Sequence, residues 1–239
     1  METFTPHTLT NRNALISGGH SGIGLAVAAK LQAAGAQAAV ADISSPNHLP
    51  VGITSFSCDI TNAAQIDNLY GEVNAHFGHP DILISNAGQG IHEKLTEGDP
   101  AKWQKVIELN LLGALRLIRA FVPGMLAAGS GDVVFISSVS AGQAYPYGGI
   151  YAATKSALQT VAETLRLEVL PTLRVITIAP GVTDTAFFKN TISGFHTADD
   201  IGYGALAPET VADAVLYALM QPPEVSVNHI TVRPTLQPF

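Results

Sequence analysis

Charged side chains are scarce in this 239-residue chain: Asp, Glu, Lys and Arg together make up 13%, about half the ~25% usual for a soluble domain. Apolar residues reach 47%, so material for a core is ample and disorder is excluded. Twelve basic residues stand against nineteen acidic ones, a net charge of -7. No basic stripe is left to neutralise a phosphate backbone or an anionic lipid surface, and neither nucleic acid nor membrane is expected as a partner. Cysteine is almost absent. Cys58 alone can form neither an internal disulfide nor a thiolate-rich zinc site. Long apolar runs are missing too: no stretch approaches the ~18 consecutive apolar residues of a membrane span, and the start METFTPHTLTNRN has no signal-peptide core. These absences predict a cytoplasmic protein whose apolar excess covers a buried sheet and subunit contacts.

What the chain does have is a regular succession of short apolar runs: 14–17, 38–42, 53–57, 81–85, 132–137, 173–179 and 228–232. Most are continuous rather than alternating, as strands are when helices cover both faces of a parallel sheet. Helical stretches separate them. Ile66, Leu69, Tyr70, Val73 and Phe77 trace one buried helical face, and Gly78 with Pro80 supplies its stop. Asp99 before Pro100, and Pro208 with Glu209, are helix starts. No linker, repeat or charge block interrupts the alternation. The expectation is an α/β fold: a single doubly wound, Rossmann-type domain over 1–239, with a seven-stranded parallel sheet flanked by helices.

Chemistry is written at the ends of those strands. After the first comes SGGHSGIG, with Gly18, Gly22 and Gly24, then a helical face with Val27 and Leu31. A strand, a glycine turn and a helix start bring backbone N–H groups and a helix dipole to a pyrophosphate. The spacing is G-x3-G-x-G rather than G-x-G-x-x-G, and a plain structural turn is the competing reading. Asp42 ends the second strand, eighteen residues after Gly24, where a carboxylate accepts from the ribose hydroxyls of an adenosine. With no Lys or Arg nearby in sequence, a 2′-phosphate would be repelled, so NAD is the cofactor expected. Tyr151 and Lys155 share a helical face one turn apart, and the cation is expected to draw the phenol's pKa down towards neutrality. Ser138, ending the VVFISS strand, stands at the carboxyl edge of the sheet, where open α/β folds bind ligands.

The glycine turn, Asp42, Ser138 and the Tyr151/Lys155 pair together closely resemble the short-chain dehydrogenase/reductase family, in its compact single-domain branch. The resemblance spans essentially the whole chain. It implies an adenine-binding aspartate at Asp59, a post-strand motif at Asn86, Ala87 and Gly88, a fourth catalytic residue at Asn110, and a nicotinamide loop in PGVTDT at 180–185. In the family's terms Ser138 holds a carbonyl, Tyr151 exchanges the proton, Lys155 binds ribose and tunes Tyr151, and Asn110 supports a water in the proton relay. The implied cofactor set is Gly18, Ser21, Gly22, Ile23, Gly24, Asp42, Ile43, Asp59, Ile60, Asn86, Ala87, Gly88, Tyr151, Lys155, Pro180, Gly181, Thr183 and Thr185. Departures are Ser17 for the usual Thr, Ser85 for a frequent Asn, and the ending ITVRPTLQPF in place of a glycine-rich one.

Other features weigh less. His76 and His79 have an i, i+3 spacing, but Gly78 lies between them at a helix end, and no metal is expected. Cys58 reads as a small buried side chain. A substrate loop is expected over about 186–207. Gln89, Ile91, His92, Gln143, Tyr145, Tyr147, Phe187, Phe188, Phe195, His196 and Tyr203, with Lys189 as the only cation in those stretches, predict a small neutral alcohol or ketone as substrate. The expected activity is NAD-dependent interconversion of a secondary alcohol and a ketone in a homodimer or homotetramer. A non-catalytic NAD sensor on the same fold is the alternative.

Overall fold

The seven apolar runs pair side by side into one parallel sheet of order β3-β2-β1-β4-β5-β6-β7. The computed structural model describes residues 7–44, 48–194 and 201–238. Phe195, His196 and the stretch 195–200 of the expected substrate loop lie outside them. The strands are β1 (Asn13–Ser17), β2 (Gln37–Asp42), β3 (Thr54–Ser57), β4 (Ile82–Ser85), β5 (Gly131–Ile136), β6 (Leu173–Pro180) and β7 (His229–Val232). Between them lie α1 (Gly22–Ala33), α2 (Ala63–Phe77), α3 (Pro100–Ile107), α4 (Ala114–Ala128), α5 (Gly149–Val169) and α6 (Pro208–Leu219).

Two apolar layers explain why the inner strands read as continuous runs. Alternate residues point to opposite faces of a sheet. In β1, Ala14 and Ile16 pack with α1 and α6 residues such as Val27, Leu31, Val211 and Val215. Leu15 faces the other way, into a layer with Leu69, Leu117, Phe121 and Leu158 from α2, α4 and α5. The edge strands β3 and β7 instead alternate between half-buried and exposed residues. At the amino end of the sheet, Asp132 is 2% exposed and lies between Arg12 at 2.6 Å and Arg174 at 2.5 Å. Arg174 also donates to the carbonyls of Leu219, Gln221 and Pro222, so this buried carboxylate ties the strand starts to the end of α6.

Helix α3 starts as its sequence predicts: Asp99 accepts from the Ala101 amide and Pro100 occupies the first turn. It then continues through a π-helical turn, Glu108–Gly113, directly into α4. The resulting helix, Pro100–Ala128, is long and apolar enough by length and composition to cross a membrane, although polar residues interrupt its apolar runs in the sequence. Its apolar residues belong to two faces. Val106, Leu117, Phe121 and Met125 are buried in the protein, while Ile107, Leu112, Leu115 and Leu126 remain more than a third exposed.

Candidate active site

Every strand whose end carried a motif delivers it to the same edge. The carboxyl ends of β1, β2, β4, β5 and β6 open onto one cleft of about 900 Å³. Between β1 and β4 the strand order reverses direction, leaving a crevice between the diverging connections.

The glycine turn is tight. Gly18 has φ +67°, and a Cβ on Gly24 would sit 2.1 Å from the Gly18 carbonyl oxygen, so neither position admits a side chain. Ser17 fastens the turn to the end of β4: its hydroxyl accepts from the amides of Asn86 (3.0 Å) and Ala87 (3.2 Å). Asn86 returns its carboxamide N–H to the carbonyls of Ser17 (3.0 Å) and Gly18 (2.9 Å). A serine therefore performs at this position all the bonding a threonine hydroxyl could. The first turn of α1 contains no acidic residue, and Ser21 makes no side-chain cap, so its first N–H groups face the cleft mouth available to an anion.

Asp42 is fixed from both sides. One oxygen accepts from the Ser44 amide (3.0 Å) and hydroxyl (2.8 Å), the other from the His20 amide (3.1 Å). Asp59 accepts from the amide and hydroxyl of Thr61. Between them lies Cys58, whose thiol is pushed up to about 11 by burial and then by the neighbouring charges of Asp59 and Glu72. A thiol with that pKa is inert at neutral pH.

At the other end of the cleft stand Ser138, Tyr151 and Lys155, each less than a tenth exposed. Ser138 Oγ accepts from the Ser140 amide at 3.1 Å, and its own O–H is directed at the Tyr151 phenol oxygen. The Tyr151 ring packs on Phe187, with centroids 5.6 Å apart. Lys155 Nζ lies 5.8 Å from the Tyr151 centroid and donates to the Ile136 carbonyl at 2.9 Å. The expected lowering of the phenol's pKa is corrected here. Burial pushes the Tyr151 phenol up, only partly opposed by a hydrogen bond with Ser138. The same burial pushes Lys155 down to about 8. Desolvation penalises both charged forms and outweighs their mutual attraction.

A buried ammonium without a carboxylate partner costs stability. Below pH 8 both folded and unfolded Lys155 are charged and the cost is full. Between 8 and the ordinary 10.5 only the unfolded state holds the proton, so stability rises with pH. Lys155→Met is therefore expected to stabilise the protein at pH 7, measured without added nucleotide, by on the order of 1–3 kcal/mol. The gain should shrink above pH 8. A lowered melting temperature at pH 7 would show instead that the bond to Ile136 outweighs desolvation.

Asn110 sits in the π turn, a local irregularity often found at functional sites, and is 2% exposed. Its carbonyl accepts from the Gln89 amide (2.9 Å), and its amide donates to the Gln89 carbonyl (2.9 Å) and to Thr154 Oγ1 (3.1 Å). Its side chain thus holds the main chain beyond Gly88 rather than lining the cleft. Of the expected cofactor residues, all but Gly24 line the cleft; Gly24 serves the closeness of helix and turn. Lys189 is not among the lining residues, whereas Lys105 is. Sequence reasoning missed Gln237, which lines the cleft and accepts from the Val182 amide at 3.0 Å; the tail carried no motif to reveal it. The closeness of the turn, the free helix N-terminus and a cleft running from Asp42 to Tyr151 fit an extended dinucleotide.

Comparison with known proteins agrees with this geometry. The family described as short chain dehydrogenase matches residues 12–194. An uncharacterized oxidoreductase from Staphylococcus aureus is 35% identical over 234 residues, covering 95% of this chain and 98% of its own. Among solved structures, an alcohol dehydrogenase from Thermococcus sibiricus complexed with 5-hydroxy-NADP superposes with a TM-score of 0.82 at 27% identity, covering 95% of this chain and 97% of its own. The L-sorbose reductase of Gluconobacter frateurii, complexed with NADPH and L-sorbose, gives 0.85 at 28% identity, covering 97% and 98%.

Proposed function

The chain belongs to the short-chain dehydrogenase family of oxidoreductases, and from that premise we propose that it interconverts a neutral secondary alcohol and a ketone with NAD. The observation that carries the reading is that Ser138, Tyr151 and Lys155 line one end of the cleft whose other end holds Asp42. Bound NAD would supply the hydride chemistry. Gly18, Ser21, Gly22 and Ile23 would hold its pyrophosphate region, Asp42 and Ile43 the adenosine ribose, Asp59 and Ile60 the adenine, and Pro180, Gly181, Thr183 and Thr185 the nicotinamide end.

The protein's own groups handle the proton. Ser138, whose O–H bonds the Tyr151 oxygen, would turn it to a substrate oxygen bound between the two. Tyr151, as phenolate, takes the alcohol's hydroxyl proton in oxidation and, as phenol, returns a proton to the carbonyl oxygen in reduction. Lys155, when protonated, favours the phenolate and offers donors to a ribose. Asn110 fixes the Gln89 main chain and supports a water in the proton path. Two similar proteins, an alcohol dehydrogenase and a reductase crystallised with a neutral sugar, support a neutral substrate. So do the lining groups Gln89, Gln143, Tyr145 and Phe187. Lys105, on α3, is the only lining lysine or arginine among the described residues besides Lys155. A panel of secondary alcohols and ketones, assayed by nicotinamide absorbance with both cofactors, tests the reading. Nucleotide binding without turnover of any of them would point to a nucleotide sensor instead.

Assembly into a homodimer or homotetramer belongs to the same proposal, as does a cytoplasmic location. Leu112, Leu115 and Leu126 near and on α4, with Leu167 and Leu170 at the end of α5, leave large apolar side chains exposed that a self-complementary interface would cover. Sedimentation at micromolar concentration is expected to give a dimer or tetramer; a monomer would defeat this part.

A further inference from the structure

Glu93 has no part in the proton chemistry, yet its carboxylate gathers four donors from two segments, the loop at Ser193 and the start of α3. Oε1 accepts from Ser193 Oγ at 2.6 Å and Lys102 Nζ at 3.1 Å. Oε2 accepts from Trp103 Nε1 and from the Asp99 amide, both at 3.0 Å. All four acceptor directions of a carboxylate are thereby used, and its side chain is 13% exposed. These bonds hold its pKa down at about 2, the Ser193 hydroxyl contributing most.

The segment that Ser193 belongs to runs alongside the one that Glu93 ends. The Ile192 amide donates to the Gly90 carbonyl at 3.0 Å, and the His92 amide to the Ser193 carbonyl at 3.1 Å. The approach is close enough that a Cβ on Gly194, at φ +72°, would lie 2.3 Å from the His92 carbonyl oxygen. Beneath this contact Ile192, Phe187 and Trp103 pack with Ile91, Val106 and Tyr151. The segment Gly88–Glu93 is therefore held at one end by Asn110 and at the other by Glu93, with the substrate loop seated on it.

We propose that Glu93 is a positioning residue: it latches the substrate loop through Ser193 onto α3 and so fixes the wall that Phe187 forms over Tyr151. The catalytic consequence rests on the oxidoreductase reading; the latch itself does not. Ser193→Ala removes only the loop's share of the latch and leaves the α3 bonds intact. Amide hydrogen exchange over 187–194 is expected to quicken by about tenfold, the loss of one charge-assisted hydrogen bond, with exchange in α3 unchanged. On a turned-over substrate KM should rise by a similar factor while kcat moves by less than about threefold. Ser193→Thr, which keeps the hydroxyl, should restore both. Glu93→Gln sets an amide donor against the Trp103 and Asp99 donors, and should loosen both loop and α3. If no substrate is turned over, the oxidoreductase reading fails and the exchange data still decide the latch. Unchanged loop exchange in both variants, even with a lowered melting temperature, would overturn it. Faster exchange with unchanged KM on a working substrate would overturn the positioning role, because the loop would then be held without positioning anything.

Discussion

Tyr151→Phe is expected to lower kcat by about 10³- to 10⁴-fold on the best alcohol or ketone, while NAD affinity changes by less than about threefold. The substitution removes one oxygen and little else. The ring is 8% exposed and packs on Phe187, and phenylalanine keeps that packing, so the fold should survive. The missing hydroxyl is the group proposed to exchange the proton, and its two nearest companions at this end of the cleft are poorly suited to replace it. Ser138 is a much weaker acid, and Lys155 lies beneath the ring with its ammonium on the Ile136 carbonyl. Ser138→Ala should cost about 10²- to 10³-fold, the usual loss for one donor to a reacting oxygen. Stopped-flow measurement of the chemical step, with NAD titrated separately by fluorescence, checks both. Near wild-type turnover in Tyr151→Phe would remove Tyr151 from the proton path altogether.

The parts of this site that could be read from the sequence are those encoded locally. Strands β1, β4 and β5 are continuous apolar runs because helices cover both faces, and the run at 132–137 overlaps Gly131–Ile136. A glycine turn, an aspartate at a strand end and a tyrosine four residues before a lysine are equally local. Energetics that depend on depth were not legible. The spacing of Tyr151 and Lys155 predicts attraction between phenolate and ammonium, but only the fold shows both groups buried, and burial reverses the sign for Tyr151. The latch was invisible for another reason. Glu93, Asp99, Trp103 and Ser193 are brought together by tertiary structure, and no spacing in the chain records that the last lies beside the first. Gln237 belongs to the same class: its amide meets Val182 only because the tail after β7 turns back across the end of β6.

On the proposed reading cofactor choice depends on one carboxylate, and wild-type protein is expected to show a higher kcat/KM with NAD than with NADP. Asp42 is held by the His20 amide and by Ser44, so it cannot swing away without breaking three hydrogen bonds. Of its roughly four acceptor directions, one remains for a ribose hydroxyl, and the Ser44 hydroxyl is the partner a second could displace. A 2′-phosphate would meet the carboxylate at about 4 Å, costing about 4 kcal/mol per unit charge at an effective dielectric of ~20. That is about a thousandfold before salt screening reduces it. Among the described residues lining the cleft the only lysines or arginines are Lys105 and Lys155, which lie on α3 and α5 rather than on the elements that hold Asp42. The expectation is discriminating because two solved structures similar to this chain hold NADP-type nucleotides. Asp42→Ala should lower kcat/KM with NAD by about tenfold, the loss of a charge-assisted hydrogen bond, and raise it with NADP, moving the preference towards the phosphorylated cofactor. The preference of the wild type should also narrow as ionic strength rises, since a charge repulsion is screened and a hydroxyl hydrogen bond is not. Steady-state kinetics on both proteins with both cofactors decides the matter, and an NADP preference in the wild type would mean that Asp42 is directed at its own chain rather than at the ribose.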